Sequence, residues 1–522
     1  MRLMLLAAGL SCAISSLPGL GFAQDRVLRL ITPGQPESFD PQHRHWTGDR
    51  ILGTILLEGL TRDDADGNPA PGAAASWDIS PDGLHYTFYL RPGATFSDGH
   101  PVTADSFVYA ARRWVDPKTA SEATSAIEPV LHASDCIAGK LPPEAVGVEA
   151  VNPLTLAVTL ERPDPFFLTI ATQFVPLERE VVEQWGRAWT QPEHMISNGP
   201  FTLTEFVLHG NIGFTKNPHY WNAAKIKLDR VTFISVDNSR TTQRLFQAGE
   251  VDAIGLSSEE FKNGGQLPGT QLKVQPIYRV FYLFFNLRSG PVAESRSLRR
   301  ALALSLDQDT LTTKIMKRLD EPAYAMVPNV YPNYPHPKED FAARTMPERI
   351  EEARKLYAGA GYGPDHPLEV KAVLYDQKFC AAIQEMWRAA LGVHTECDVQ
   401  DDHGEEEAYK TGQFTVGDNG DGGMAPDPYI ILKDFRGAPL GAENSGHYMS
   451  SAYDALLTAA QNSPDLKARA ERLAEAERLL IDDQAVVPLN FGNVAFAVAA
   501  RIHGYRALAS RGLFIDDVTI DP

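Results

Sequence analysis

The sequence predicts a mixed α/β protein of two or three domains. Three observations predict it. The chain has 522 residues, far more than one hydrophobic core usually organises. Segments of strand period alternate with segments of helical period, divided by short turn signals, with no repeat or low-complexity linker. After the first two dozen residues, no apolar run approaches the roughly 18 residues that a membrane-spanning helix needs.

The N-terminus is set apart. Residues Met1 to Ala23 contain one charge, Arg2, followed by an apolar stretch from Leu3 to Ile14. Ser15, Ser16, Pro18 and Gly19 break that stretch, and Gly21-Phe22-Ala23 places small residues where a signal peptidase cuts. We expect a secretory leader cleaved after Ala23, and a mature chain in the periplasm. Cys12 falls inside the leader.

The elements follow in order. Asp82-Gly83 suits a tight turn, and His85 to Leu90 alternates faces, so Trp77 to Leu90 is expected to form a hairpin. A helix is expected from Thr103, whose hydroxyl would cap it, with Asp105 in the first turn and Phe107, Val108, Ala111 and Val115 on one face. A second helix is expected from about Pro464 to Leu480, with Ser463 as N-cap and Pro464 at the first helical position. Val486 to Phe491 then has the pattern of a strand.

Composition narrows the function. The formal net charge is −19 and deepens by one when Arg2 leaves with the leader. Such a charge disfavours nucleic acid and anionic lipid as partners. Cys136, Cys380 and Cys397 follow the leader, with no metal spacing. Cys380 should open a helix running to Leu391, and Cys397 should lie on the strand that doubles back after Gly392. Helical and strand rises of about 1.5 and 3.3 Å let the two face each other. A bridge and two free thiols both remain open at this point. No nucleophile elbow, phosphate loop, dinucleotide fingerprint or zinc helix is present, so neither an enzyme nor a cofactor or metal is expected. The run Asp401-Asp402-His403 with Glu405-Glu406-Glu407 is expected to be a solvated charge run rather than a metal cluster.

Five ordered groups of motifs carry a resemblance. They are Ser38-Phe39-Asp40-Pro41 with Leu57-Glu58-Gly59-Leu60; Ala75-Ser76-Trp77 with Tyr86 to Gly93; Phe96 to Tyr109 with Val115 to Ser121; Ser197-Asn198-Gly199-Pro200-Phe201 with Asn217 to Asn222; and Phe285-Asn286 with Leu298 to Leu302 and Leu306-Asp307-Gln308. In these the chain resembles the family 5 solute-binding proteins of ABC importers, the oligopeptide- and dipeptide-binding type.

The resemblance implies a bilobal periplasmic binding protein type II-like fold with an additional inserted domain. It places 24–57, 181–278 and 489–522 in the first lobe, 58–180 in the inserted domain and 279–488 in the second lobe. Crossings are expected near Tyr278-Arg279 and Val487-Pro488. It implies a peptide or peptide-like solute held by edge addition to strands, a monomer, and permease subunits with their cytoplasmic ATPase as partners. His45-Trp46-Thr47 and Gly420-Asp421-Gly422 match the binding strands, with glycines allowing close backbone approach. One departure stands out. Counting back from Pro426-Asp427-Pro428, Met424 occupies the position where peptide-binding relatives carry the Asp that pairs with the ligand's ammonium. Asp418 stands where some carry Arg. Either Asp421 or Asp418 takes over, or the solute lacks a free amino terminus, as an opine-like, sugar-conjugate or chelate solute would. An enzyme or a chaperone-like protein is the remaining alternative.

Overall fold

The computed structural model describes residues 25–32, 36, 38–43, 47–208, 210–236, 238–263, 269–423, 425–437, 444–509 and 513–521. The leader expectation lies outside them.

An eleven-stranded sheet runs through the molecule. In spatial order its main strands are His394–Val399, Glu369–Leu374, Val416–Gly422, Thr270–Phe285, Val486–Ala499, Ala253–Leu256, Val27–Thr32, Arg230–Ser235, Asn211–Lys216 and Phe201–Phe206. The two-residue strand Glu321–Pro322 pairs beside Val486–Ala499. Buried Leu28, Leu30, Phe214, Phe233 and Val498 form one core at one end. At the other end two cores lie on opposite faces. One holds Leu283, Phe285 and Trp387, the other Val280, Tyr282 and Tyr453.

The two halves are joined by two long antiparallel strands, Thr270–Phe285 and Val486–Ala499. They pair from Thr270↔Ala499 to Pro276↔Asn493, lose register, and resume at Val280↔Phe491. Pro276 has no N–H to give the ladder, which favours a break there. Asp320 spans the gap. Its carboxylate accepts from the Asn490 side chain at 2.8 Å and from the Asn493 N–H at 3.0 Å.

A separate four-stranded sheet has the order Ala74–Ile79, His85–Leu90, Thr155–Thr159, Val148–Asn152. It has its own core around Phe88, Phe96, Phe107 and Phe167. The expected hairpin is here, with Trp77 opposite Phe88 and Gly83 at φ 72°, the left-handed region its turn needs.

Two helix starts differ from expectation. Thr103 precedes the helix Ala104–Val115, but its hydroxyl makes no capping bond. The second helix is Leu466–Asp482, two residues later than Pro464, because Asp465 and not Ser463 caps it, accepting from the Ala468 N–H at 2.6 Å. A carboxylate beside the positive end of a helix is the better acceptor. Cys380 and Cys397 are bridged, with Cα atoms 6.0 Å apart. The helix Gln377–Leu391 ends at Gly392 in the left-handed conformation, and the strand His394–Val399 returns alongside it. Cys136 is buried and free. The acidic run starts the helix Asp402–Thr411, capped by Asp401, and Glu406 pairs with Lys410 at 2.6 Å. Among the described residues no helix is long and apolar enough to cross a membrane.

Candidate functional site

The strand Val416–Gly422 lies next to the crossing strand Thr270–Phe285, antiparallel, with Gly422 opposite Arg279, Gly420 opposite Phe281 and Asp418 opposite Leu283. Its other edge is covered only at the start. Glu369–Leu374 pairs with it at Val416 and Gly417 and goes no further. The Tyr409 hydroxyl then closes the edge at Asp418, donating to the Asp418 carbonyl and accepting from its N–H, both at 3.2 Å. Strand groups repeat their direction every second residue, so the N–H and C=O groups of Gly420 and Gly422 point the same way, beyond Tyr409. Among the described residues, both N–H groups are met only by the preceding side chain. Gly420 donates to Asn419 Oδ1 and Gly422 to Asp421 Oδ1, each at 2.7 Å. This is an open strand edge that a further backbone can pair with.

The glycines answer first to the chain itself. A Cβ on Gly420 would lie 2.7 Å from Phe281 Cε1 and 2.8 Å from Arg279 Nη2, and one on Gly422 would lie 2.1 Å from the Tyr278 carbonyl oxygen. The close approach foreseen for a ligand backbone is thus already made by the molecule's own atoms.

Alternation separates the two candidate carboxylates. Asp418 shares a face with Gly420 and Gly422, and Asp421 points to the other. On the first face, the Arg279 guanidinium lies 4.4 Å from the Phe281 ring centre. Arg318 lies 5.0 Å from the same centre and 5.8 Å from that of Tyr375. Arg318 also bonds the Tyr375 hydroxyl and lies 3.5 Å from Asp320. Burial, with Glu405 adding to it, pushes Asp418 up to about 8. On the second face Asp421 meets Asp434, beside buried Tyr331. Burial and the second carboxylate push Asp421 well above the usual range, so the pair holds a proton.

A recess of ≈ 100 Å³ opens beside Asp63. The helix Thr47–Leu56, Thr61 to Asp63, Gln173 and Phe514 to Asp516 line it. Two larger grooves, ≈ 640 and ≈ 1040 Å³, contain none of the residues of Val416–Gly422.

Of the residues singled out from sequence, the structure brings Asp418, Gly420, Asp421 and Gly422 onto one strand. His45, Trp46 and Met424 lie outside the described residues. Thr47 is not on a binding strand. It opens a helix, because Leu52, Ile55 and Leu56 recur at helical spacing and bury into the first core. Asp427 is also unavailable to a ligand, since it is buried in an ion pair with Arg469 at 2.5 Å. Sequence reasoning missed Arg279, Phe281, Arg318 and Tyr375. Nothing local marks them, because they come from three separate segments.

Several of the family-like segments serve the scaffold instead. Three of them meet at Glu58, which is 6% exposed. Tyr220 and Trp221 donate to its carboxylate at 2.5 and 2.6 Å, and Asn198 bonds its backbone at 2.8 and 3.1 Å. Asp40 likewise holds Arg113 at 2.7 Å and accepts from Trp189 at 3.1 Å.

With the geometry in place, comparison identifies the class. Residues 68–439 match the family described as bacterial extracellular solute-binding proteins, family 5. The chain belongs to that family. It is 31% identical to the periplasmic oligopeptide-binding protein OppA of Escherichia coli, over 96% of this chain and 93% of that one. It is 30% identical to the probable deoxycholate-binding periplasmic protein YgiS of the same organism, over 90% and 88%. Among solved structures, the unliganded open form of the murein tripeptide-binding protein MppA superimposes with a TM-score of 0.85, at 28% identity, covering 95% of this chain and 98% of that one. Another structure of MppA, from Escherichia coli, gives 0.75 at 29%, covering 95% and 99%. The Haemophilus influenzae OppA complex with the peptide RPPGFSPFR gives 0.73 at 28%, with the same coverage.

Proposed function

We propose that this chain captures peptides in the cleft between its two lobes and delivers them to the permease of an ABC importer, acting as a periplasmic monomer without enzymatic activity. The open edge at Gly420 and Gly422, on the side of the strand away from the crossing strand Thr270–Phe285, carries the reading in a member of this family. A peptide adding there gains main-chain hydrogen bonds that do not depend on its side chains. The relatives named for peptides support it.

The division into a first lobe, an inserted domain at 58–180 and a second lobe is part of the same proposal, supported by the separate cores. So is hinge motion at the register break around Ile277 to Arg279 and Gly492. The second crossing then falls a few residues beyond Val487-Pro488. Cleavage after Ala23 completes the proposal.

A second reading is uptake of a non-peptide solute. One feature favours it: burial raises Asp418 and Asp421 well above the usual carboxylate range, so a cation pairing with either must first displace its proton. The deoxycholate relative supports it too. Native mass spectrometry of exported protein, purified without refolding, should release a peptide ladder, and calorimetry with a tripeptide to pentapeptide pool should saturate. Release of one non-peptide species, with no heat from any peptide, would sink the first reading in favour of the second.

A further inference from the structure

We propose that the hinge has a third strand, spliced without a covalent bond from one segment of each lobe, and that the splice between Ser258 and Leu319 holds the empty lobes at one angle. This rests on the two-lobe, hinged reading above and names the part that fixes the angle. It does not depend on the class of solute.

The two edges of Val486–Ala499 are occupied differently. Along one edge runs Thr270–Phe285, a single segment that passes from lobe to lobe. Along the other edge, Ala253–Leu256 of the first lobe pairs from Val498 to Ala495, and Glu321–Pro322 of the second lobe pairs at Phe491 and Asn490. Both are antiparallel to the shared strand, so they run the same way and in one line. Between their pairings lie Gly492, Asn493 and Val494, level with the loss of register from Pro276 to Val280 on the opposite edge.

Leu319 and Asp320 close that gap. The Asn493 N–H donates to Asp320 Oδ1 at 3.0 Å, and Asn493 Nδ2 donates to the Leu319 carbonyl at 2.9 Å. The first lobe fastens the same residues from its side. The Leu319 N–H donates to Ser258 Oγ at 2.9 Å, and Lys262 Nζ donates to the Lys317 carbonyl at 2.8 Å. The Leu319 side chain crosses over as well. It belongs to the second lobe by sequence, yet it packs on the first-lobe cluster of Phe246, Ile254 and Leu256. Lys317 turns the chain into the splice at φ 53°, in the left-handed region that side chains disfavour. The next residue, Arg318, reaches the Phe281 ring in the cleft at 5.0 Å, so one segment serves both the hinge and the cleft floor.

A ribbon of two strands is marginal by itself, and a third strand is what makes a sheet firm. Two of the three hinge strands are continuous chain and cannot part. The third is held across its splice by two hydrogen bonds and one apolar side chain, so small substitutions can undo it alone. Ser258 and Lys262 are the safest places to do so. Ser257, not Ser258, caps the helix Ser258–Lys262, and Lys262 is exposed.

The test uses exported Cys136→Ser protein with spin labels on Leu208→Cys in the first lobe and Met449→Cys in the second, positions 69% and 64% exposed. Double electron–electron resonance reads the distance distribution between them. The empty parent should give one narrow distance. Ser258→Ala/Lys262→Met should broaden it with an unchanged melting midpoint, since both changes lie outside the lobe cores. Leu319→Ala should broaden it further, and the double variant decides alone should Leu319→Ala melt early. Loading with the tripeptide to pentapeptide pool should return the double variant to the narrow distance of the loaded parent. A distribution as narrow in the empty double variant as in its parent overturns the splice. If loading still shifts the parent's distance, the hinged reading stays intact. A distance that neither loading nor any of these substitutions changes removes the hinged reading, and this inference with it.

Discussion

Glu58 in the scaffold and Asp421 on the strand Val416–Gly422 are acids shielded to different degrees, and they are furnished in opposite ways. Glu58 is the deeper of the two, yet the Tyr220 and Trp221 donors and the Arg62 charge restrain it to about 7. Asp421 is less buried and is pushed further up, because its neighbour is another carboxylate. Burial alone therefore does not rank them; the partners do. The scaffold acid ties segments together, whereas the cleft acid holds a proton in a place that a cationic group could claim.

The first way to break this comparison is at Glu58. Glu58→Ala should destabilise the protein by about 4 kcal/mol, because it leaves the Tyr220 hydroxyl and the Trp221 N–H without their acceptor. Chemical denaturation should show a lower midpoint at unchanged slope. A loss below about 1 kcal/mol would mean that water replaces the carboxylate there.

The Cys380–Cys397 bridge is a covalent counterpart to that polar tie. It spans 17 residues, so Cys380→Ser/Cys397→Ser should cost about 3 kcal/mol. Thiol titration of the unfolded, unreduced mature protein should count Cys136 alone. Three thiols would place the bridge outside the exported protein.

The smallest effect is expected in the cleft and depends on pH. Asp421 has a folded pKa above its unfolded one, so its favourable contribution is complete below about pH 4 and declines as pH rises through the folded value. Asp421→Asn should match the native chain near pH 4 and exceed it by about 1 kcal/mol or more at pH 8. Melting curves across that range check it. A variant less stable than the native chain at pH 8 would show that the carboxylate is satisfied after all.

Legibility in the sequence follows the range of the interaction. The hairpin at Asp82-Gly83 was readable because turn chemistry and alternation are local. The helix at Leu466 was readable in kind but not in its start, since Ser463 and Asp465 are both good caps and the positive helix end favoured the carboxylate. Thr47 was misplaced onto a strand because motif order outweighed the helical spacing of Leu52, Ile55 and Leu56. Family-like segments could be ordered along the chain, but not divided into scaffold and site. Glu58, Asn198 and Tyr220 proved to be one structural knot.

By itself the sequence determined the α/β class and the family, because these depend on composition, period and motif order. Only the tertiary structure decided that Asp418 and Asp421 face opposite ways and that the strand edge beyond Tyr409 is open. It alone brought Arg279, Arg318 and Tyr375 together. Those outcomes depend on which strands pair and where pairing stops, and pairing between segments a hundred or more residues apart is set by the packing of whole cores.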